Sequence, residues 1–189
     1  MADELRYLDE GAQGLINRHD RDDVSSRFEN IFTPPESPIS DVALTDNAFF
    51  LAPGNHGGGE FTATHLQVDA VPGAKVTMLW VLRSPYARIS GAHFVSDVGS
   101  SPLVALQNNA RVLFRDCIFE MSRSAASIAV SVATGCKAHF DGCAFVPDLV
   151  AGTGQPIAHA GPPANVYVTS CVNLTGRAHG THTLISELT

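Results

Sequence analysis

Three carboxylates and one arginine come closest to a reactive set in this chain: Arg115, Asp116, Glu120 and Asp141. Paired acids cleave glycosidic bonds when they flank the bond from two sides at a fixed separation. Asp116 and Glu120 are near neighbours, but Asp141 stands far down the chain, a looser set than a polysaccharide-cleaving site shows. We therefore assign no catalytic residue. His179 and His182 are spaced i, i+3, which fits neither a helix-borne zinc motif nor two ligands on one face of a strand. They read as exposed loop histidines. His56, His65, His93, His139 and His159 form no spacing pattern. The run Gly54-Asn55-His56-Gly57-Gly58-Gly59 lacks the Lys-Ser/Thr ending of a phosphate loop and reads as a flexible turn. Asn173-Leu174-Thr175 matches a glycosylation sequon, which carries no weight without a sign of secretion. No metal and no cofactor is expected.

The elements that would carry these residues repeat. Four segments overlay: Ala87 to Phe94, Val112 to Phe119, Ala138 to Phe145 and Val166 to Asn173. Matching positions fall at Ala92, Cys117, Cys143 and Cys171, in steps of 25, 26 and 28 residues. A period in this range signals stacked structural repeats. Within each segment the pattern has period two, the mark of a strand with one buried side. Ala87/Ile89, Val112/Phe114, Ala138/Phe140 and Val166/Val168 make the inner face; Arg88, Leu113, His139 and Tyr167 lie on the outer one. Gly91, Asp116, Gly142 and Ser170 then suit a bend. A strand that bends, continues and returns describes one coil of a parallel β-solenoid, whose inner residues form ladders because no coil buries its inner face alone. Phe94, Phe119 and Phe145 would make an aromatic ladder, and Ala92 with the three cysteines a ladder of small residues. Arg115 and Asp141 share an outward slot on adjacent coils, where they would form a surface ion pair. The competing architecture for such short strands is a β-sandwich.

Composition sets bounds. At 189 residues there is room for one domain and an arm, and 44% hydrophobic content supports a real core. The net charge of −7 argues against a general nucleic-acid binder, because phosphate contacts need basic clusters. There is no apolar run long enough to span a bilayer, and Met1-Ala2-Asp3-Glu4 is acidic where a signal peptide would be basic. Neither nucleic acid nor membrane is an expected partner. Three cysteines recur in one slot, so free, buried thiols are expected, with Cys136 left open.

Residues 2–17 read as a short amphipathic helix whose stripe includes Leu5, Leu8, Ala12, Leu15 and Ile16, although Gly11 and Gly14 weaken it. Arg18 to Asp23 is a mixed charge run, read as a solvated turn. Residues 24–60 carry Pro34, Pro35, Pro38 and Pro53 and read as an extended arm with one strand at Ala48 to Leu51. An arm of that length has a use when it straps onto a neighbour. Phe61 to Val71 and Lys75 to Leu82 would be the strands of a first, irregular coil turning at Pro72-Gly73, and Thr181 to Leu188 a last strand. The expected division is residues 1–60, helix and anchoring arm, and residues 61–189, the β-solenoid. Contact residues for a partner are Leu5, Leu8, Leu15 and Ile16 on the helix and the outward, apolar or amphipathic Leu113 and Tyr167.

The runs Ala110-Arg-Val-Leu-Phe-Arg-Asp-Cys-Ile-Phe119 and Cys136-Lys-Ala-His-Phe-Asp-Gly-Cys-Ala-Phe145 resemble the pectate-lyase-like right-handed parallel β-helix. Phe49-Phe50-Leu51-Ala52-Pro53-Gly54 is similar to the lead-in of tailed-bacteriophage spike and appendage proteins, which are generally homotrimers. The resemblance implies an all-β fold, a short right-handed β-helix, and a non-enzymatic virion protein assembled in the host cytoplasm. Size and arm favour a trimeric capsid decoration (cement) protein held to the major capsid protein, or another virion protein, through residues 1–60. One alternative is a small tail spike that binds host glycan, for which Tyr167 and Trp80 are the aromatic candidates. Another is a β-helix carbohydrate lyase or hydrolase using Asp116, Glu120 and Asp141.

Overall fold

The computed structural model describes residues 30–32, 46–95, 102–121, 128–146, 156–161, 165–175 and 184–186. The chain starts with β1 (Asn30–Phe32) and then winds in coils of three strands. The first coil is β2 (Asp46–Leu51), β3 (Gly54–His56) and β4 (Gly59–Phe61); the next is β5 (His65–Ala70), β6 (Ala74–Val76) and β7 (Trp80–Leu82). Then come β8 (Tyr86–Ser90), β9 (His93–Val95) and β10 (Val104–Leu106), followed by β11 (Arg111–Arg115), β12 (Ile118–Glu120) and β13 (Val130–Val132). The series continues with β14 (Lys137–Asp141), β15 (Ala144–Val146) and β16 (Ile157–His159), and ends with β17 (Val166–Thr169), β18 (Val172–Asn173) and β19 (Leu184–Ser186).

Corresponding strands stack into three sheets. Sheet A runs β1-β2-β5-β8-β11-β14-β17-β19, sheet B runs β3-β6-β9-β12-β15-β18, and sheet C runs β4-β7-β10-β13-β16. All pairings are parallel. The chain is thus a parallel β-solenoid, as the repeat predicts, and a β-sandwich is excluded because its hairpins would pair antiparallel. Among the described residues there is no helix, and the expected helix at 2–17 lies outside them.

Register follows the repeat. Val112 pairs with Ala87 and with Ala138, and Ala138 with Val166. Phe119 pairs with Phe94 and Phe145. Their rings stack at 5.1 and 5.2 Å between centroids. A second ladder, Phe114 on Phe140 at 5.0 Å, meets the first edge-on. Stacking along each ladder and tilting between them satisfy the ring quadrupoles in both directions. All five rings are fully buried, along with Trp80 and Phe61.

From β8 onward, the bend between sheets A and B takes a left-handed residue in four successive coils. Gly91 (φ 71°), Asp116 (φ 51°), Gly142 (φ 66°) and Ser170 (φ 53°) occupy that place in turn. Glycine accepts this conformation freely, while aspartate and serine adopt it at a cost. The corner is tied across coils: Gly91 N donates to Arg115 O at 3.0 Å, Asp116 N to Asp141 O at 2.9 Å, and Gly142 N to Thr169 O at 3.1 Å.

The early chain departs from expectation. Gly54 to Gly59 is no flexible turn; it supplies β3, most of a corner and the start of β4. One of its glycines serves close approach: a Cβ on Gly58 would sit 2.8 Å from Leu79 O. Phe61 to Val71 and Lys75 to Leu82 are each broken at a corner rather than forming single strands, with the Pro72-Gly73 turn between them. The coil holding them is not the first, since β2, β3 and β4 precede it in register. Leu184–Ser186 pairs with Tyr167–Thr169, inside the expected last strand.

Candidate functional site

Among the described residues the interior is filled by ladders, which leaves the outer faces and corners open to a ligand. Sheet A presents three outward columns. The middle one runs Gln67, Arg88, Leu113, His139, Tyr167. Leu113 is half-buried, and Tyr167 is 43% exposed with His139 edge-on at 6.3 Å. The two outward contact candidates therefore stand in one column, two coils apart with His139 between them. A further column holds Asp69, Ser90, Arg115, Asp141 and Thr169. Arg115 and Asp141 form the expected ion pair at 3.3 Å.

Sequence reading missed the third column: His65, Tyr86, Arg111 and Lys137. The repeat overlay began at Ala87, Val112 and Ala138, one residue too late to include it. Tyr86 is 51% exposed, its ring stacked on His65 at 5.5 Å, with the Arg111 guanidinium 5.6 Å from its centroid. A guanidinium over a ring face is attracted by the ring quadrupole.

Sheet B has a different outer face. Its first outward column holds Lys75, His93, Ile118, Ala144 and Val172. The second holds Val95, Glu120, Val146 and then Leu174, whose N donates to Phe145 O. Val172 and Leu174 are 54% and 59% exposed. The polar members are Lys75, His93 and Glu120, and Glu120 lies 3.0 Å from His93 Nε2. Alternation alone would have flagged Ile118 and Val172 as outward, but small Ala144 between them hides the stripe in the sequence.

The three carboxylates are not brought to one task. Asp141 is engaged by Arg115 on sheet A, and Glu120 by His93 on sheet B. Asp116 holds the corner, its Oδ1 filling the space where a Cβ on Gly142 would stand, 2.5 Å away. Among the described residues no three His, Cys, Asp or Glu side chains gather as a metal site. Trp80 is not an outer platform: it is fully buried, and its Nε1 donates to Gly57 O at 3.1 Å. Leu5, Leu8, Leu15, Ile16, Arg18 to Asp23, His179 and His182 lie outside the described residues.

All four cysteines are free thiols, Cys136 included. Cys117, Cys143 and Cys171 follow one rule: each sulfur donates to a carbonyl of the preceding coil, Ile89, Phe114 and Phe140 respectively, at 3.5 Å. The column is less uniformly buried than expected, since Cys171 is half-buried beside the last coils. The hydrogen bond with Cys117, followed by burial, pushes the Cys143 thiol up to about 12. The bond with Cys143, followed by burial, raises Cys171 as well. Burial raises Cys136. These thiols are held neutral, which suits core filling and not nucleophilic attack.

No family model matches this chain, and neither a curated protein nor a solved structure does. The functional reading therefore rests on the fold and its faces.

Proposed function

We propose that this chain is a non-enzymatic structural protein of a tailed-bacteriophage virion, a homotrimeric capsid decoration protein attached through residues 1–60. The observation that carries the reading is the outward apolar stripe of sheet B, Ile118, Val172 and Leu174, on a body whose interior is already closed. Outward strand positions facing water are ordinarily polar; an apolar row there suits coverage by another subunit. A rigid, registered solenoid contributes stiffness and fixed surfaces, the properties a clamp between capsid subunits needs. Many weak copies then add up through multivalency.

The test is co-sedimentation of the full chain with empty heads of the phage that encodes it. Binding by the trimer, lost on removal of residues 1–29, which leaves every coil intact, supports the decoration role. Failure to bind heads, with the protein intact and folded, contradicts it.

A second reading is a small tail appendage that binds host-surface glycan. Tyr86 and Tyr167 favour it, as exposed rings on one face with Arg88 and Arg111 between them. Sugar rings stack on such platforms while cations and amides fix hydroxyl or acid groups. Retention on host cells but not on heads selects this reading, and loss of retention in Tyr86→Ala or Tyr167→Ala locates it. Release of oligosaccharide during that assay would revive the lyase or hydrolase alternative.

A further inference from the structure

Charge is unevenly placed in this molecule. The outward positions of β5, β8, β11 and β14 carry four cations, Arg88, Arg111, Arg115 and Lys137, against two carboxylates, Asp69 and Asp141. That face is net positive in a chain of net charge −7. Asp141 is already paired with Arg115. Arg111 and Lys137 face one another directly on adjacent strands, and both are exposed. Like charges placed opposite each other in a sheet destabilise it. No carboxylate among the described residues pairs with either. The site is thus an unneutralised cation pair, with Arg88 one coil back and the exposed Tyr86 ring beside it.

The neutralising charge is present in the same chain. Residues 1–29 hold eight acids against four arginines, and three of those acids cluster as Asp20, Asp22 and Asp23. The described chain begins at Asn30, in the edge strand of sheet A. Asn30 aligns with Phe49, three residues beyond Asp46; Asp46 aligns with His65, and His65 with Tyr86, in the column of Arg111 and Lys137. The N-terminal ends of these parallel strands, Asn30's included, thus point to the side of the sheet where the cation pair stands. From β1 to β11 is four strand spacings, about 19 Å, and to β14 about 24 Å. The seven to ten residues from Asn30 back to Asp23 and Asp20 can span about 24 to 34 Å when extended.

We propose that the acidic run Asp20-Arg21-Asp22-Asp23 docks on the outer face of sheet A over Arg111 and Lys137 of its own chain. Its carboxylates accept from the guanidinium and ammonium that face each other there. This docking does not depend on the virion reading. It makes sheet A, in any assembly, a surface partly covered by the chain's own N-terminal segment.

The chain has two lysines, Lys75 on sheet B and Lys137 on sheet A, which makes zero-length carbodiimide coupling a clean test. The full chain, unlabelled and nitrogen-15-labelled in equal mixture, is coupled at low and at high salt, digested and mapped by mass spectrometry. The expected result is an amide from Lys137 to Asp20, Asp22 or Asp23 within single-isotope products, exceeding any product from Lys75 to the same acids. It is lost at 1 M salt, where screening shortens to about 3 Å. Three outcomes overturn the proposal: no coupling of Lys137 to that run, equal coupling from Lys75, or coupling found chiefly in mixed-isotope products, which would place another copy's segment on the face.

Discussion

The same strands of sheet A look inward and outward with opposite consequences. Phe114 and Phe140 on β11 and β14 stack at 5.0 Å in a closed core. Arg115 and Asp141, at the ends of those strands, meet at 3.3 Å in solvent. Both pairs obey one register, set by parallel pairing of β11 with β14. Inside, that register decides whether the solenoid stands. Outside, it only arranges charges and rings, leaving the surface free to be shaped by a partner. A ladder is therefore evidence of architecture when it is buried and of function only when it is exposed and incompletely matched.

The contrast is broken most severely from within. Phe119→Ala removes the middle ring of the Phe94–Phe119–Phe145 ladder, and we expect a loss of about 3–5 kcal/mol, read by denaturant unfolding. Gly142→Ala forces a Cβ into a left-handed backbone and against Asp116 Oδ1, with an expected loss of about 1–3 kcal/mol by the same measurement. A loss as small as that of a surface change would show that the corner relaxes.

The sulfur column sharpens the comparison through pH. The folded Cys143 thiol is raised from 9.0 to about 12, so the folded state holds a proton that the unfolded chain releases first. Its contribution is fully present below pH 9 and is lost as pH rises through about 12. Unfolding midpoints should fall across that window, and fall less in Cys143→Ala. Equal slopes for both proteins would contradict the assignment.

The outer faces should respond least in stability. Arg115→Ala or Asp141→Ala should cost less than about 1 kcal/mol, since the pair is exposed. Val172→Ser with Leu174→Ser should leave the unfolding midpoint of the isolated chain nearly unchanged while weakening self-association, measured by sedimentation equilibrium.

Much of this was legible in the sequence because the solenoid repeats its constraints. Four bend positions, one aromatic ladder and the cysteine slot recur in steps of 25 to 28 residues, and each recurrence constrains the same backbone. Gly54 to Gly59 misled because glycine marks both loose turns and tight approaches, and only the position of Leu79 O decides between them. Trp80 misled because its segment lacks the repeat that would have fixed its phase. The His65–Tyr86–Arg111–Lys137 column could be found only by extending the overlay one residue, since its members share neither size nor polarity.

The most direct test of the assembly reading is the mass of the full chain in solution by light scattering. The account predicts a trimer, three times the chain mass of 20.0 kDa, which dissociates when Val172 and Leu174 are changed to serine. A stable 20.0 kDa monomer at every concentration tested would contradict it.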